Sequence, residues 1–171
     1  MIRIRPARPA DAARLPEIER SAGRAFLALP ELAWIADDTV LSEARHLELI
    51  AAEATLVAVG EDDLPVGFAA AEAIDGDFHL WELSVRRDLQ SRGIGRRLVA
   101  EIVETARRRG LAAVTLTTFV DVAWNRPFYE RSGFGVVAER DLSLRLRAVI
   151  DAEVAAGLSR ASRCAMVRRL G

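Results

Sequence analysis

The stretch Leu80 to Arg109, LWELSVRRDLQSRGIGRRLVAEIVETARRR, limits what the chain can become more than any other. Leu80, Trp81, Leu83 and Val85 make a short, almost continuously apolar run, as a strand buried on both faces does. A glycine-bearing turn, Gln90-Ser91-Arg92-Gly93-Ile94-Gly95-Arg96, follows it. Leu98, Val99, Ile102, Val103 and Ala106 then recur at helical spacing, with Arg107 to Arg109 in the last turn and Gly110 as the stop. The positive end of that helix opens on a loop whose two glycines can turn backbone N–H groups inward. Such a loop is an anion cradle, most simply for phosphate.

Three kinds of phosphate loop compete here. A Walker loop needs Gly-Lys-Ser/Thr, and the chain contains no lysine. A dinucleotide fingerprint wants a small residue where Leu98 stands and an acid on the following strand, yet Ala113 to Thr118 carries none. The segment Gln90-Ser91-Arg92-Gly93-Ile94-Gly95 instead resembles the Gln/Arg-x-x-Gly-x-Gly/Ala signature of the GNAT superfamily of acyl-CoA-dependent N-acetyltransferases. Asn125-Arg126-Pro127-Phe128-Tyr129-Glu130-Arg131-Ser132-Gly133-Phe134 resembles, in compressed form, that family's Asn-x-x-Ala-x-x-Phe/Leu-Tyr-x-x-x-Gly-Phe pattern. The second match is looser, because Pro127 or Phe128 stands where a small residue is common. The two motifs occur in family order, separated by one helix and one strand.

At 171 residues, 51% of them apolar, the chain suits one well-buried domain, so 1–171 is expected to be a single unit. A formal charge of −1 suggests neither a nucleic-acid nor a membrane surface. One cysteine, Cys164, excludes an internal disulfide, and no apolar run reaches the roughly 18 residues of a membrane span. Without a secretory apolar region at its start, the chain is expected in the cytoplasm. Two histidines and no clustered cysteines give no metal-ligand spacing, so no metal is expected.

Ile2 to Ile4 reads as a first strand, and Asp11 as the cap of a helix carrying Leu15 and Ile18. Phe26, Trp34 and Ile35 read as packing residues in an irregular stretch, and Leu41 to Ala52 as a helix facing inward through Leu41, Ala44, Leu47 and Ile50. Ala54 to Gly60 and Val66 to Ile74 form a hairpin, and Asp75-Gly76-Asp77 turns into the central strand, Phe78 to Val85. Ala113 to Phe119 is a parallel-type strand, Asp121 to Ser132 a short helix, and Phe134 to Glu139 and Cys164 to Leu170 are the last strands. Between those two, Leu142 to Ala156 is an amphipathic helix. It could restrict the acceptor, cap exposed core or make a dimer contact.

The resemblance implies an α/β fold of GNAT type: a mixed, mostly antiparallel central sheet flanked by helices, here with an extra helix between the last two strands. It implies acetyl-CoA as co-substrate and a small-molecule primary amine as acceptor, acetylated by direct attack in a ternary complex. Many relatives dimerise, so a homodimer is open to it. Two other readings remain, a coenzyme-A-binding module without turnover and an enzyme acting on protein amines.

Acetyl transfer from a thioester needs a held donor, a neutral amine, stabilisation of the developing oxyanion and a proton for the departing thiolate. By the resemblance, Gln90, Ser91, Arg92, Gly93, Ile94, Gly95 and Arg96 hold the pyrophosphate. The backbone of Leu83, Ser84 and Val85 pairs with the pantetheine arm, and Asn125 and Phe128 lie along it. Tyr129 is the expected proton donor, since a phenol of pKa about 10 suits that task. The base is His79, Glu82 or a water. Strand alternation puts His79, Trp81 and Leu83 on one face and Glu82 with Ser84 on the other. Glu31, Asp37 and Asp38 would favour a cationic acceptor.

Overall fold

The computed structural model describes residues 1–171. It contains seven strands, β1 (Arg3–Pro6), β2 (Thr55–Val59), β3 (Pro65–Ile74), β4 (Asp77–Val85), β5 (Ala113–Phe119), β6 (Gly135–Val136) and β7 (Arg163–Arg169). Five α-helices accompany them, α1 (Leu15–Gly23), α2 (Glu43–Ala51), α3 (Ile94–Arg108), α4 (Arg126–Arg131) and α5 (Leu144–Ala155). The strands form one mixed sheet in the order β1-β2-β3-β4-β5-β7-β6. β1/β2, β2/β3, β5/β7 and β6/β7 are antiparallel, while β4 and β5 run parallel. The expected α/β class, with a helix between the last two strands, is the one observed.

The elements fall into two compact groups, Met1–Glu72 with Leu80–Thr105 and Ala73–His79 with Ala106–Gly171. The first is built on a core of Ala12, Leu15, Ile18, Leu49, Ile50, Val57, Val59, Phe68 and Ala70. β2 is buried at every position, which explains its unbroken apolar sequence. Asp11 does not cap α1 as its spacing suggests. It ends up in a short 3-10 turn (Pro9–Arg14), where its carboxylate takes the Arg8 amide at 2.7 Å and a bidentate ion pair from Arg5 at 2.7 and 3.1 Å. Burial pushes the Asp11 carboxyl upward, but the Arg5 and Arg8 hydrogen bonds outweigh it and leave it below the usual carboxylate range.

α2 is rotated from the expected face. Ala44 and Leu47 are exposed, and His46, Leu49 and Ile50 point inward, with Ser42 capping through its hydroxyl and the Arg45 amide at 3.1 Å. His46 is fully buried edge-on to Phe68, with ring centroids 5.0 Å apart, and neither ring nitrogen has a partner. Residues 24–28 and 30–37 form two 3-10 turns. Phe26 and Ile35 are half-buried there, whereas Trp34 is exposed and not the core residue its type suggests.

In the second group, Asp75 (φ 53°) and Gly76 (φ 83°) supply the two left-handed residues of a tight hairpin turn. β5 pairs with β7 from Ala113↔Arg169 to Phe119↔Arg163, but with β4 only at Phe78↔Val114 and His79↔Thr115. Leu146 and Ile150 of α5, with Leu142 just before it, form a buried cluster with Ala165 of β7. This helix therefore caps core, one of the three roles open to it. The strand expected over Phe134 to Glu139 shortens to Gly135–Val136, because Ala138 leads into a 3-10 turn at Glu139–Asp141.

Within the first group β3 runs very close to β4. A Cβ added at Gly67 would lie 3.0 Å from the Ser84 carbonyl oxygen and 3.1 Å from Val85 Cγ2. Gly67→Val should therefore overpack this contact and destabilise the fold by about 1–3 kcal/mol, read as a lower urea midpoint. An unchanged midpoint would contradict so close an approach.

Candidate functional site

The turn between β4 and α3 is closed by side chains of its own sequence. Gln90 Nε2 donates to the Val85 carbonyl at 3.1 Å, and its Oε1 accepts from Arg87 Nη1 at 2.9 Å. Ser91 (φ 62°) and Gly93 (φ 78°) are left-handed, and Arg92 between them is not. Alternating hand over successive residues is the backbone pattern of an anion-binding nest. Gly95, expected to share the work of Gly93, is the second residue of α3 and has no positive φ. The two left-handed positions are thus Ser91 and Gly93. A Cβ at Gly93 would meet nothing within 4 Å, so that side of the turn is open. Ile94 is buried and anchors the helix start, while Ser91, Arg92 and Arg96 are exposed and Gly95 is half-exposed.

On β4, Leu83 and Glu82 are half-buried, and Ser84 and Val85 are buried. Ser84 Oγ donates to Glu82 Oε1 at 2.7 Å, as residues two apart on one strand face can. Trp81 is exposed, and its Nε1 donates to Glu72 Oε2 at 2.8 Å, an oxygen that also accepts from Arg45 at 2.5 Å. Sequence reading missed Glu19 of α1. Its carboxyl is pushed up to about 8, first by burial and then by the charge of Glu82, against the opposing Leu41 amide and Arg20. The available signal was its place in the helix stripe: Leu15, Ile18 and Glu19 follow the i, i+3, i+4 spacing of the buried face.

His79 sits in the second group, 1% exposed. Its Nδ1 lies 3.0 Å from Thr115 Oγ1 and 3.2 Å from Arg145 Nη1, and Arg145 also binds Asp77 at 3.1 Å. A guanidinium only donates, so Nδ1 accepts and the neutral ring carries its proton on Nε2. Burial, then the Arg145 charge, lowers its pKa to about 4. The lone pair a base needs is therefore engaged within the protein, which weighs against the base role the sequence allowed. No motif flagged Arg145, because the contact joins positions 66 residues apart.

Asn125 stands at the N-cap of α4, but its side chain makes no capping bond, and its Oδ1 is buried without a partner. Tyr129 is half-buried between Phe128 and Phe134, edge-on to both, with centroids 5.0 and 5.7 Å away. Pro127 occupies the first turn of α4, where its missing N–H costs nothing. Cys164 is buried, and burial raises its thiol pKa, as expected of an inert core cysteine.

A loop of this geometry after a central strand, with a second motif beyond the next strand, defines a class, and comparison with known proteins names it. Residues 19–134 match the model of the acetyltransferase (GNAT) family, and the chain belongs to that family. Its fold is similar to that of a PaiA N-acetyltransferase from Thermoplasma acidophilum solved with coenzyme A, at 19% identity and TM-score 0.72, covering 99% of each chain. It is also similar to the ribosomal-protein-S18-alanine N-acetyltransferase from Escherichia coli, at 16% identity and TM-score 0.71, covering 100% of this chain and 95% of that one. A GNAT-family acetyltransferase from Staphylococcus aureus Mu50 matches at 16% identity and TM-score 0.72, covering 100% of both.

Burial also lowers the His46 pKa to about 4. A folded-state value below the unfolded one, about 6.5, means that the unfolded chain takes up the proton first on acidification. The stability due to a neutral His46 is thus fully present above about pH 6.5 and is lost as pH falls through about 4. His46→Leu should remove a slope of at most about 1.4 kcal/mol per pH unit in that window. The unfolding free energy of the wild type should accordingly fall relative to that of the variant between pH 7 and pH 5. A constant difference would show that His46 stays neutral in both states or charged in both.

Proposed function

We propose that the chain transfers an acetyl group from acetyl-CoA to the primary amine of a small molecule, by direct attack in a ternary complex, with residues 1–171 acting as one domain in the cytoplasm. Membership of the family supports the acyltransferase class. The observation that carries the donor assignment is the left-handed pair Ser91 and Gly93 at the start of α3. Two features fit coenzyme A: the open side of Gly93 lets a phosphate approach the backbone, and the buried, unpartnered Oδ1 of Asn125 can take an amide N–H.

Bound acetyl-CoA would supply the activated acyl carbon and a thiolate leaving group. The backbone amides of 91–96, with Arg92 and Arg96, would hold its diphosphate. The main chain of Leu83, Ser84 and Val85, with Asn125 and Phe128, would hold its pantetheine. Glu82 takes the proton that makes the amine nucleophilic, its Oε1 oriented by Ser84 Oγ. Tyr129 delivers a proton from Oη to the departing sulfur. His79 takes a packing role. The exposed acids Glu31, Asp37 and Asp38 support a cationic acceptor.

Calorimetry should show acetyl-CoA binding that Gly93→Asp weakens at least about tenfold, through a strained φ and a repelled phosphate. Tyr129→Phe should cut thiol release with a panel of free amines by about 10²-fold while leaving donor affinity intact. Mass gain on peptides alone would move the acceptor to proteins. Tight donor binding with no thiol from any acceptor would make the chain a binding module.

A further inference from the structure

The helix that carries Tyr129 is short and weakly held at its start. None of the six residues of α4 is buried, and Asn125 at its N-cap makes no side-chain capping bond. The ion pair within it, Arg126 with Glu130 at 2.8 Å, is exposed and of a kind that contributes little. Fewer than two turns of helix do not keep their shape by backbone propensity alone.

The C-terminal end is locked instead. Gly133 (φ 85°) closes it in a left-handed turn, in which the Gly133 amide donates to the Glu130 carbonyl at 3.0 Å and the Phe134 amide to the Tyr129 carbonyl at 3.1 Å. The apolar contact that accompanies such a turn is the edge-on pair of Tyr129 with buried Phe134. Ser132 Oγ donates to the Phe128 carbonyl at 3.1 Å, and the Ser132 carbonyl accepts from Arg168 Nη1 at 2.7 Å. Arg168 lies across Gly133, where a Cβ would stand 3.4 Å from its Nε and Cζ. Its strand, β7, is paired on both sides, by β5 and by β6, and the Gly135↔Val167 pair next to it brings Arg168 alongside the turn. The half-buried guanidinium gives its hydrogen bond to a main-chain carbonyl and not to a carboxylate.

We propose that Arg168 is a positioning residue for Tyr129: its bond to the Ser132 carbonyl clamps the end of α4 to the sheet and so sets where the phenol stands. The catalytic part of this rests on Tyr129 being the proton donor to the departing sulfur. Arg168 acts through Ser132, whose own amide donates to the Tyr129 carbonyl at 2.9 Å. A cation that bonds the last carbonyls of a helix also complements its negative end. Without the guanidinium, α4 keeps its left-handed turn but loses this tie to β7, and the phenol spends time away from the sulfur. A misplacement of about 1 Å caused outside the chemistry can cost about 10²-fold in rate.

Tyr129 is the only tyrosine of the chain, so tyrosine labelled with carbon-13 at the ring ζ position gives a single NMR resonance. In the full chain, Arg168→Met keeps the apolar stem and removes the donors. It should shift or split that resonance and lower kcat with free amines about tenfold or more, with acetyl-CoA affinity and acceptor KM held within about twofold. Arg168→Lys, which can still donate to the Ser132 carbonyl, should recover most of the rate. An unmoved resonance with unchanged kcat, measured well below the unfolding midpoint, would overturn the proposal and leave Arg168 a role in stability alone. Equal losses in kcat and donor affinity would overturn it too. If Arg168→Met does not fold, the wild type decides. There the bond to Ser132 should slow rotation about Nε–Cζ and give Nη1 and Nη2 of Arg168 separate nitrogen resonances, and one averaged resonance would sink the clamp. A resonance moved by Arg168→Met in a protein that releases no thiol with any amine would uphold the clamp and refute the enzyme reading alone.

Discussion

The turn that carries β4 into α3 sets the terms for the chemistry around it. Its hydrogen bond from Gln90 to the Val85 carbonyl brings the chain off the strand at once. The left-handed residues Ser91 and Gly93 then swing the backbone so that α3 begins within four residues of Gln90. α3 holds this arrangement because Leu98, Val99, Ile102 and Val103 are almost wholly buried, each worth about 1.5–3 kcal/mol relative to exposure. Glycine at 93 is required by its φ; glycine at 95 is not. Ser91 shows that a left-handed position need not announce itself by residue type, since a side chain other than glycine is tolerated there at a modest cost.

Much of this was legible before any coordinates. The near-continuous apolar run of β4, the helical spacing of α3 and the Asp75-Gly76 turn all rest on local rules, and the structure follows them within a residue or two. The order of the two motifs was enough to name the family. What sequence reading got wrong depended on partners far along the chain. Asp11 is a good cap by type, yet Arg5 and the Arg8 amide claim it first. α2 has two plausible apolar faces, and the core chose the one carrying His46, because Phe68 offers its ring there. Glu19 was passed over because a carboxylate in an apolar stripe looks like noise until the Glu82 carboxyl beside it is known.

Buried polar groups are costly unless partnered, and the chain handles them in two ways. Around His79 the account is closed: Nδ1 accepts from the Arg145 guanidinium, which is also satisfied by Asp77, and Thr115 fits between them. In the same group Glu153 takes Arg163 at 2.8 and 2.9 Å and Thr117 at 2.5 Å. Such networks fix α5 and β7 against β5. A histidine there is neutral and rigid, which suits packing more than proton transfer.

Glu19 and Asn125 are handled in the opposite way. Glu19 has one amide where a buried carboxylate could take several donors, and a like charge as neighbour, so its ionised form is penalised twice. Asn125 keeps an oxygen buried and unpaired at a helix end where capping would satisfy it at no cost to the fold. The Asn125 oxygen leaves folding free energy ungained, on the order of 1–3 kcal/mol for an unmade hydrogen bond to a buried group. A fold that closes its polar networks around Arg145 and Glu153 has the means to close these too. Under the proposed function the partner of the Asn125 oxygen would arrive with the pantetheine, whereas the equally unpartnered ring of His46 is packed edge-on against Phe68.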